Sequence, residues 1–390
     1  MEIGKPIDTA KFESEIADIH GSGEYKKVGY HFEEHFEEHF EEHFEEKDAS
    51  TGLVVTAREK DWYHQYLRLG FGLEDNFKGE SSYILTAEAR FNEINSAGGH
   101  LVTQLAIGEN PRAFLEFYQP LTEGSRFFVA PEILWSRNNI NLLQDGEIIA
   151  EYQREIAYLG LKGGMALGKY GEFSTGWRRG PGQVDRYIGE PALQDFNYQI
   201  GEFFSRLALD QYDNPDFPTR GFKAIVGGVA SREGAGSDDN FEQASGVLGK
   251  PFTFGATTLL LNGQGGVSSS DLAVERAFAL GGFLNVSGFP LNSLIADNFW
   301  VSRSLLYHRF AKGSTSLLNF GGYYGGSVEY ASIRNNISQV GDYPSIVAGS
   351  VFVGFDTPLV PIYFGFGINN QSENSLYFAV GRLNIRGGNN

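Results

Sequence analysis

From Tyr63 onward, apolar and polar residues alternate along the chain. Leu67, Leu69, Phe71 and Leu73 are interleaved with Arg68, Gly70, Gly72 and Glu74, and Tyr83, Leu85, Ala87, Ala89 and Phe91 with Ser82, Thr86, Glu88 and Arg90. The same device returns where Phe173, Thr175 and Trp177 oppose Glu172, Ser174, Gly176 and Arg178, and again in Arg206-Leu207-Ala208-Leu209-Asp210. A two-residue period sends alternate side chains to opposite faces of a strand, so each segment has one greasy and one polar face. Turn residues divide the region into strands near 63–74, 80–94, 99–108, 111–119, 125–143, 147–168, 171–184, 195–211, 220–232, 240–250, 253–267, 299–311, 315–330, 345–356, 361–370 and 375–385. The number is even, and several segments exceed the ~5 to 6 residues usual in soluble strands and approach the ~9 to 11 that cross a bilayer.

A soluble sandwich alternates in the same way, so length, strand number and turn asymmetry must separate a water-facing sheet from a lipid-facing one. Connections after even-numbered strands are mostly brief: Asn95-Ser96-Ala97-Gly98, Thr122-Glu123-Gly124, Lys169-Tyr170, Lys312-Gly313-Ser314 and Thr357-Pro358-Leu359. The other side holds the long segments Asp185 to Gln194, Glu233 to Asp239, Ser268 to Asn298 and Ala331 to Pro344. Short turns on one side and long loops on the other are the pattern of an outer-membrane barrel, whose closure leaves no strand edge unpaired in lipid.

The first 60 residues read differently. Phe12, Ile16 and Ile19 recur at helical spacing, with Asp8 placed to cap the start and Gly21 the end. Two strand-like pieces follow, Tyr25 to Tyr30 and Leu53 to Ala57, and between them four copies of His-Phe-Glu-Glu run from His31 to Glu46. Helical spacing would align His31, His35, His39 and His43 as zinc ligands. Eight like charges in sixteen residues oppose a packed helix, and the identity of the copies favours an expanded low-complexity tract inserted in a turn. No metal site is assigned.

Composition narrows the classes. The chain has no Cys, which removes disulfides and thiolate metal sites, and its 49 acidic against 31 basic residues give a net charge of -18, so nucleic acid is not an expected partner. No run approaches the ~18 apolar residues of a membrane-spanning helix. Met1-Glu2-Ile3-Gly4-Lys5 shows no basic start before an apolar core, which leaves a cytoplasmic protein or a piece of a longer exported one.

Two segments carry a family resemblance. Ala277 to Pro290, with Gly281, Gly282, Phe283, Ser287, Gly288 and Phe289, resembles the sixth extracellular loop of the BamA/TamA superfamily of sixteen-stranded outer-membrane barrels. Asp213-Asn214-Pro215-Asp216-Phe217-Pro218-Thr219-Arg220-Gly221-Phe222 resembles that family's periplasmic turn after strand eight, with Asp213, Pro218, Thr219, Arg220, Gly221 and Phe222 as its marks. Glu109 to Arg112, Phe117 to Pro120 and Leu280 to Phe289 are most similar to patatin-like phospholipases of the type Vd secretion class, in which a lipase domain precedes one POTRA domain and a barrel. The resemblance implies an all-β fold, a sixteen-stranded antiparallel transmembrane barrel over 61–390 with a lumen-directed loop at 268–298, preceded by a truncated α/β POTRA domain over 1–60 with the repeat at 31–46 as an insertion. The family's POTRA domain has a strand before its first helix, so the chain is expected to begin within that domain. The family's loop commonly carries an Arg before the Gly-aromatic pair, held by acids on the lumen wall. Ser287 stands there instead, which predicts a hold by glycine packing and Phe289.

No G-x-S-x-G elbow is present, Gly266-Val267-Ser268-Ser269-Ser270 lacking the closing Gly, so no catalytic residue is assigned and any lipase chemistry is expected upstream. Gly281-Gly282 and Gly288 also lack the spacing of a dinucleotide cradle, and no cofactor is expected. Lumen charges such as Arg68, Glu74, Glu88, Arg90, Arg178 and Arg206 read as paired wall residues rather than a selectivity ring, and His64, His100 and His308 as interfacial or lumen groups. The expected function is an outer-membrane barrel that anchors, and in one version exports, a patatin-like lipase domain; the alternative is an outer-membrane assembly or translocation factor whose seam opens for client strands. A passive pore and a soluble β protein are the remaining readings. Expected partners are outer-membrane lipids, lipopolysaccharide and the barrel-assembly machinery during insertion, with a homodimer left open and the N-terminal part in the periplasm.

Overall fold

The computed structural model describes residues 25–37, 48–59, 65–75, 77, 81–122, 124–144, 147–189, 194–269, 275–311, 320–336, 343–357 and 360–381. The chain divides into two units, Met1–Tyr66 and Leu67–Asn390. In the first, β1 (Tyr25–Glu37) and β2 (Asp48–Glu59) pair antiparallel, with His31 opposite Val54 and Glu37 opposite Asp48. The first seven residues of the repeat are therefore strand, not part of a turn. Thr51, Val54, Val55 and Thr56 make β2 a strong strand former, and its backbone extends the pairing beyond Tyr30. The helix expected between Asp8 and Gly21 and the rest of the repeat lie outside the described residues.

The second unit is all β. Its strands are β3 (Gln65–Asp75), β4 (Ser81–Phe91), β5 (His100–Gly108), β6 (Arg112–Pro120), β7 (Phe127–Gln144), β8 (Glu147–Ala166), β9 (Gly171–Gly189), β10 (Phe196–Asp210), β11 (Lys223–Ser231), β12 (Phe241–Phe254), β13 (Thr257–Ser268), β14 (Phe278–Leu280), β15 (Leu294–Ala311), β16 (Gly321–Asn336), β17 (Tyr343–Asp356), β18 (Ile362–Asn369) and β19 (Asn374–Val380). All except β14 form the wall of a closed sixteen-stranded antiparallel barrel in which β19 meets β3. The three residues of β14 pair with Leu294–Ala296 of β15, taking over the edge of β15 that β13 leaves.

Several strands run further than turn residues suggested, three of them by five residues or more. β9 continues to Gly189 and β16 to Asn336, where loops were expected from Asp185 and Ala331, and β15 starts at Leu294 rather than 299. In each case a neighbour is long enough to supply ladder partners: Glu151 opposes Ile188, and Ala296 opposes Asn336. Backbone pairing overrides local Gly and Pro punctuation.

Alternation resolves into an outside and an inside. Along β15, Phe299, Val301, Arg303, Leu305 and Tyr307 are buried, whereas Trp300 and Leu306 are exposed. The exterior shows Leu69, Leu105, Leu159, Val328, Val351 and Leu376 to the surroundings, with Leu69 72% exposed. An apolar belt of this extent is unstable against water and stable against hydrocarbon. Charged and polar side chains turn inward instead, including Glu132, Glu202, Arg303 and Glu329.

Candidate functional site in the lumen and at the seam

Two insertions fill the lumen, one from each end. The loop between β13 and β15 folds inward, and Phe278, Leu280, Phe283, Leu284, Val286, Ser287 and Phe289 are all buried. Its tip is held by one wall carboxylate. Val286 N and Ser287 N donate to Glu329 Oε2 at 2.6 and 3.1 Å, and Ser287 Oγ donates to Oε1 at 2.7 Å. Ser327 Oγ, two residues along β16, adds a fourth donor at 2.7 Å. Glu329 is thus an acidic wall group that holds the loop tip through backbone amides and a hydroxyl. The hold rests on charge-assisted hydrogen bonds as well as on packing.

The tip backbone is bent to reach this acid. Val286, a β-branched residue, sits at φ 67° and Leu284 at 57°, conformations that cost about 1 to 3 kcal/mol each and persist only where surrounding contacts enforce them. Gly288 has φ 97°, and a Cβ there would stand 2.6 Å from Asn369 Nδ2 and 2.8 Å from Glu373 O, so no other residue fits. Gly281 and Gly282 also take positive φ; Gly281 N donates to Asn285 O and Gly282 N to Phe289 O, which closes the tip into a compact knot. Gly288 N donates to Tyr377 Oη at 2.9 Å, and Tyr377 Oη donates to Phe289 O at 3.1 Å. The loop tip therefore grips β19, the strand that closes the barrel.

From the other end comes the connection between β10 and β11. Asp213 accepts from Thr219 N, Thr219 Oγ1 and Arg220 N, while Asn214 Oδ1 accepts from Asp216 N and Phe217 N. Burial works against the Asp213 charge, but these donors prevail and hold its carboxyl below the usual range. The tightened turn drives Phe217 into the lumen, where it stacks on Tyr323 at 4.0 Å and lies 5.4 Å from the Tyr363 ring. Tyr307 Oη donates to Pro218 O, and Gly221, at φ 91°, lets Gln211 N reach Phe222 O. Phe283 of the loop lies 6.2 Å from the same Tyr363 and 5.2 Å from Tyr377, so both insertions share one aromatic cluster.

On the opposite wall the lumen is polar. Lys162 pairs with Glu116 at 2.7 Å and Arg68 with Glu88 at 3.5 Å. Arg178 of β9 and Arg276 of the loop base clamp the buried Glu202 of β10 between them, and Arg276 lies 4.9 Å over the Tyr198 ring. Of the charges expected to be paired wall residues, Arg68, Glu88 and Arg178 are so placed, Arg90 contacts Asn92 and His100, and Glu74 is hydrogen-bonded to the Phe283 backbone. His100 stacks on Tyr118 and His308 meets Thr257; His64 lies outside the described residues. Between the polar wall and the loop runs a cavity of about 710 Å³, whose lining includes Arg112, Arg154, Tyr212, Asn262, Leu284 and Arg303.

β19 and β3 form the seam that closes the wall. Among the described residues, β19 and β3 pair over three positions, Phe378 with Asp75, Ala379 with Glu74 and Val380 with Leu73, whereas β7 and β8 pair along all of Phe127–Gln144. Sequence reasoning identified the loop and the turn but not Glu329, Tyr377 or Phe217 as their anchors. Glu329 stands in Ser327-Val328-Glu329-Tyr330, which reads as ordinary alternation. Phe217 lay inside the quoted turn, where an apolar ring amid Asp, Asn and Pro was the available signal.

No family model matches the chain, and no curated protein matches it. Solved structures do. BamA from Haemophilus ducreyi lacking POTRA domains 1–3 is similar over 97% of this chain and 79% of its own, with a TM-score of 0.67 at 12% identity. CdiB from Acinetobacter baumannii is similar over 97% of this chain and 69% of its own, with a TM-score of 0.61 at 10% identity, and CdiB from Escherichia coli over 97% and 71%, with a TM-score of 0.57 at 12% identity. At such identities the likeness is one of fold: this barrel has the BamA and CdiB architecture.

Proposed function

We propose that the chain is a bacterial outer-membrane barrel that assembles or translocates other polypeptides, with the β19–β3 seam as its working edge. The observation that carries this reading is the grip of the loop tip, through Tyr377, on β19, the strand that closes the barrel against β3. Unpaired backbone groups facing lipid cost several kcal/mol each, so a strand edge freed there gains most by pairing with an incoming strand. The fold shared with BamA and CdiB supports the same reading. On it, the N-terminal unit is a POTRA-type domain in the periplasm, and the partners are client strands, outer-membrane lipids, lipopolysaccharide and the machinery that inserts the barrel itself. Anchoring of a patatin-like lipase is a narrower reading that rests on the sequence resemblance.

The test is reconstitution. The barrel in lipid vesicles should accelerate the folding of an urea-denatured outer-membrane client over protein-free vesicles, followed by the client's gel mobility. Equal rates with and without it reject assembly, and lipase activity in a longer natural chain would favour the anchor.

A further inference from the structure

Arg303 of β15 is 2% exposed and faces the lumen cavity. Its Nη1 donates to Asn262 Oδ1 at 3.0 Å across the β13–β15 ladder, whereas Nε and Nη2 have no acceptor among the described residues. Those two nitrogens form one edge of the guanidinium, with parallel N–H bonds in the fork that matches two oxygens of a carboxylate or phosphate. The nearest acid in the ladder is Glu329, the direct cross-strand partner of Arg303. Its carboxylate is already taken by Val286 N, Ser287 N, Ser287 Oγ and Ser327 Oγ. Glu329 balances charge but leaves the fork unfilled.

A second unmet group lies in the same place. The Tyr212 hydroxyl is buried without a partner, and a Cβ on Gly249 would stand 1.9 Å from it and 3.3 Å from Asn262 Nδ2, which puts Tyr212 beside the residue that orients Arg303. Burial, with Asp210 nearby, pushes the Tyr212 hydroxyl up to about 12, so it keeps its proton and can donate. The Lys223 ammonium lies 5.8 Å over the Tyr212 ring, its own charge met by Asp210 at 2.7 Å. Tyr212 of the β10–β11 connection, Lys223 of β11, Asn262 of β13 and Arg303 of β15 line one cavity.

We propose that this corner of the lumen binds a small oxyanion, phosphate or carboxylate, held side-on by Nε and Nη2 of Arg303, with the Tyr212 hydroxyl as a further donor in the same cavity. Buried donors without acceptors are costly, and an anion of this shape satisfies both guanidinium nitrogens at once. The site does not depend on the assembly reading.

The test uses the full chain folded in phosphate-free micelles at constant ionic strength in chloride. Inorganic phosphate and acetate are titrated separately, reading the thermal midpoint of the folded-to-unfolded gel mobility shift and, for phosphate, the ³¹P line width. A ligand that binds only the folded barrel raises the midpoint in a saturable way. Wild type should respond to at least one anion, and which one separates phosphate from carboxylate. Arg303→Lys keeps the charge but loses the fork, and should weaken binding about tenfold. Tyr212→Phe should weaken it about threefold and carries the test should the Arg303 variant fail to fold. No saturable response to either anion, or equal responses in wild type and the variants, would overturn the proposal.

Discussion

The two sides of the lumen are built on different physics. The wall from β13 to β19 receives both insertions and closes over them with aromatic rings and one buried carboxylate, Glu329. The wall from β3 to β9 faces the lumen with ion pairs such as Lys162–Glu116 and Arg68–Glu88. Packed matter transmits position, because a ring shifted in a filled core finds no room, whereas a hydrated ion pair reforms in many geometries. The seam falls where the two regimes meet: β19 belongs to the packed side, through Tyr377, and β3 to the hydrated one. A change in the loop tip should therefore be felt at the seam, and a change among the wall charges should not.

Substitutions that empty the packed side give the largest effects. Phe217→Ala removes the ring stacked on Tyr323 and should cost about 4 kcal/mol, in the range for a buried aromatic truncation, measured by urea unfolding from micelles with tryptophan fluorescence. Glu329→Leu leaves three loop-tip donors buried and unpaired and should cost about 3 kcal/mol, with new protease cleavage between residues 281 and 289; an uncleaved tip would deny Glu329 its role as the anchor. On the hydrated side, Arg68→Met should cost less than about 1 kcal/mol by the same measurement. A loss as large as that of Glu329→Leu would erase the distinction between the two walls.

The smallest effect concerns pH at the β10–β11 turn. Asp213 is held below the usual carboxylate range, so its contribution is complete above about pH 4 and is lost as pH falls through its lower folded value. Protection of this turn from an acid protease should decline below pH 4, and Asp213→Asn should remove the pH dependence. A variant that keeps the same decline would assign it to another group.

Much of the wall was readable in the sequence because alternation is a local property: a strand such as Arg68 to Leu73 declares its two faces without reference to anything else. The ends were not, since the extension of β9 to Gly189 and of β15 back to Leu294 depends on neighbours far away in sequence. The loop declared itself through Gly281, Gly282, Gly288 and Phe289, residues whose backbone or bulk is unusual in a flexible tip. Its anchor was hidden, because Glu329 takes its meaning from Ser287, which the loop brings to it from 42 positions away. Arg303, Asn262 and Tyr212 carry no motif, and three separate elements must fold before they line one cavity.

The lack of cysteine permits a direct test at the seam. With Leu73→Cys and Val380→Cys, cross-strand partners between β3 and β19, a disulfide locks the join; Ile133→Cys and Leu159→Cys place a control lock between β7 and β8. In client-folding vesicles, the seam lock should abolish acceleration until a reductant restores it, while the control lock leaves the rate unchanged. Full acceleration with the seam demonstrably crosslinked would contradict the account.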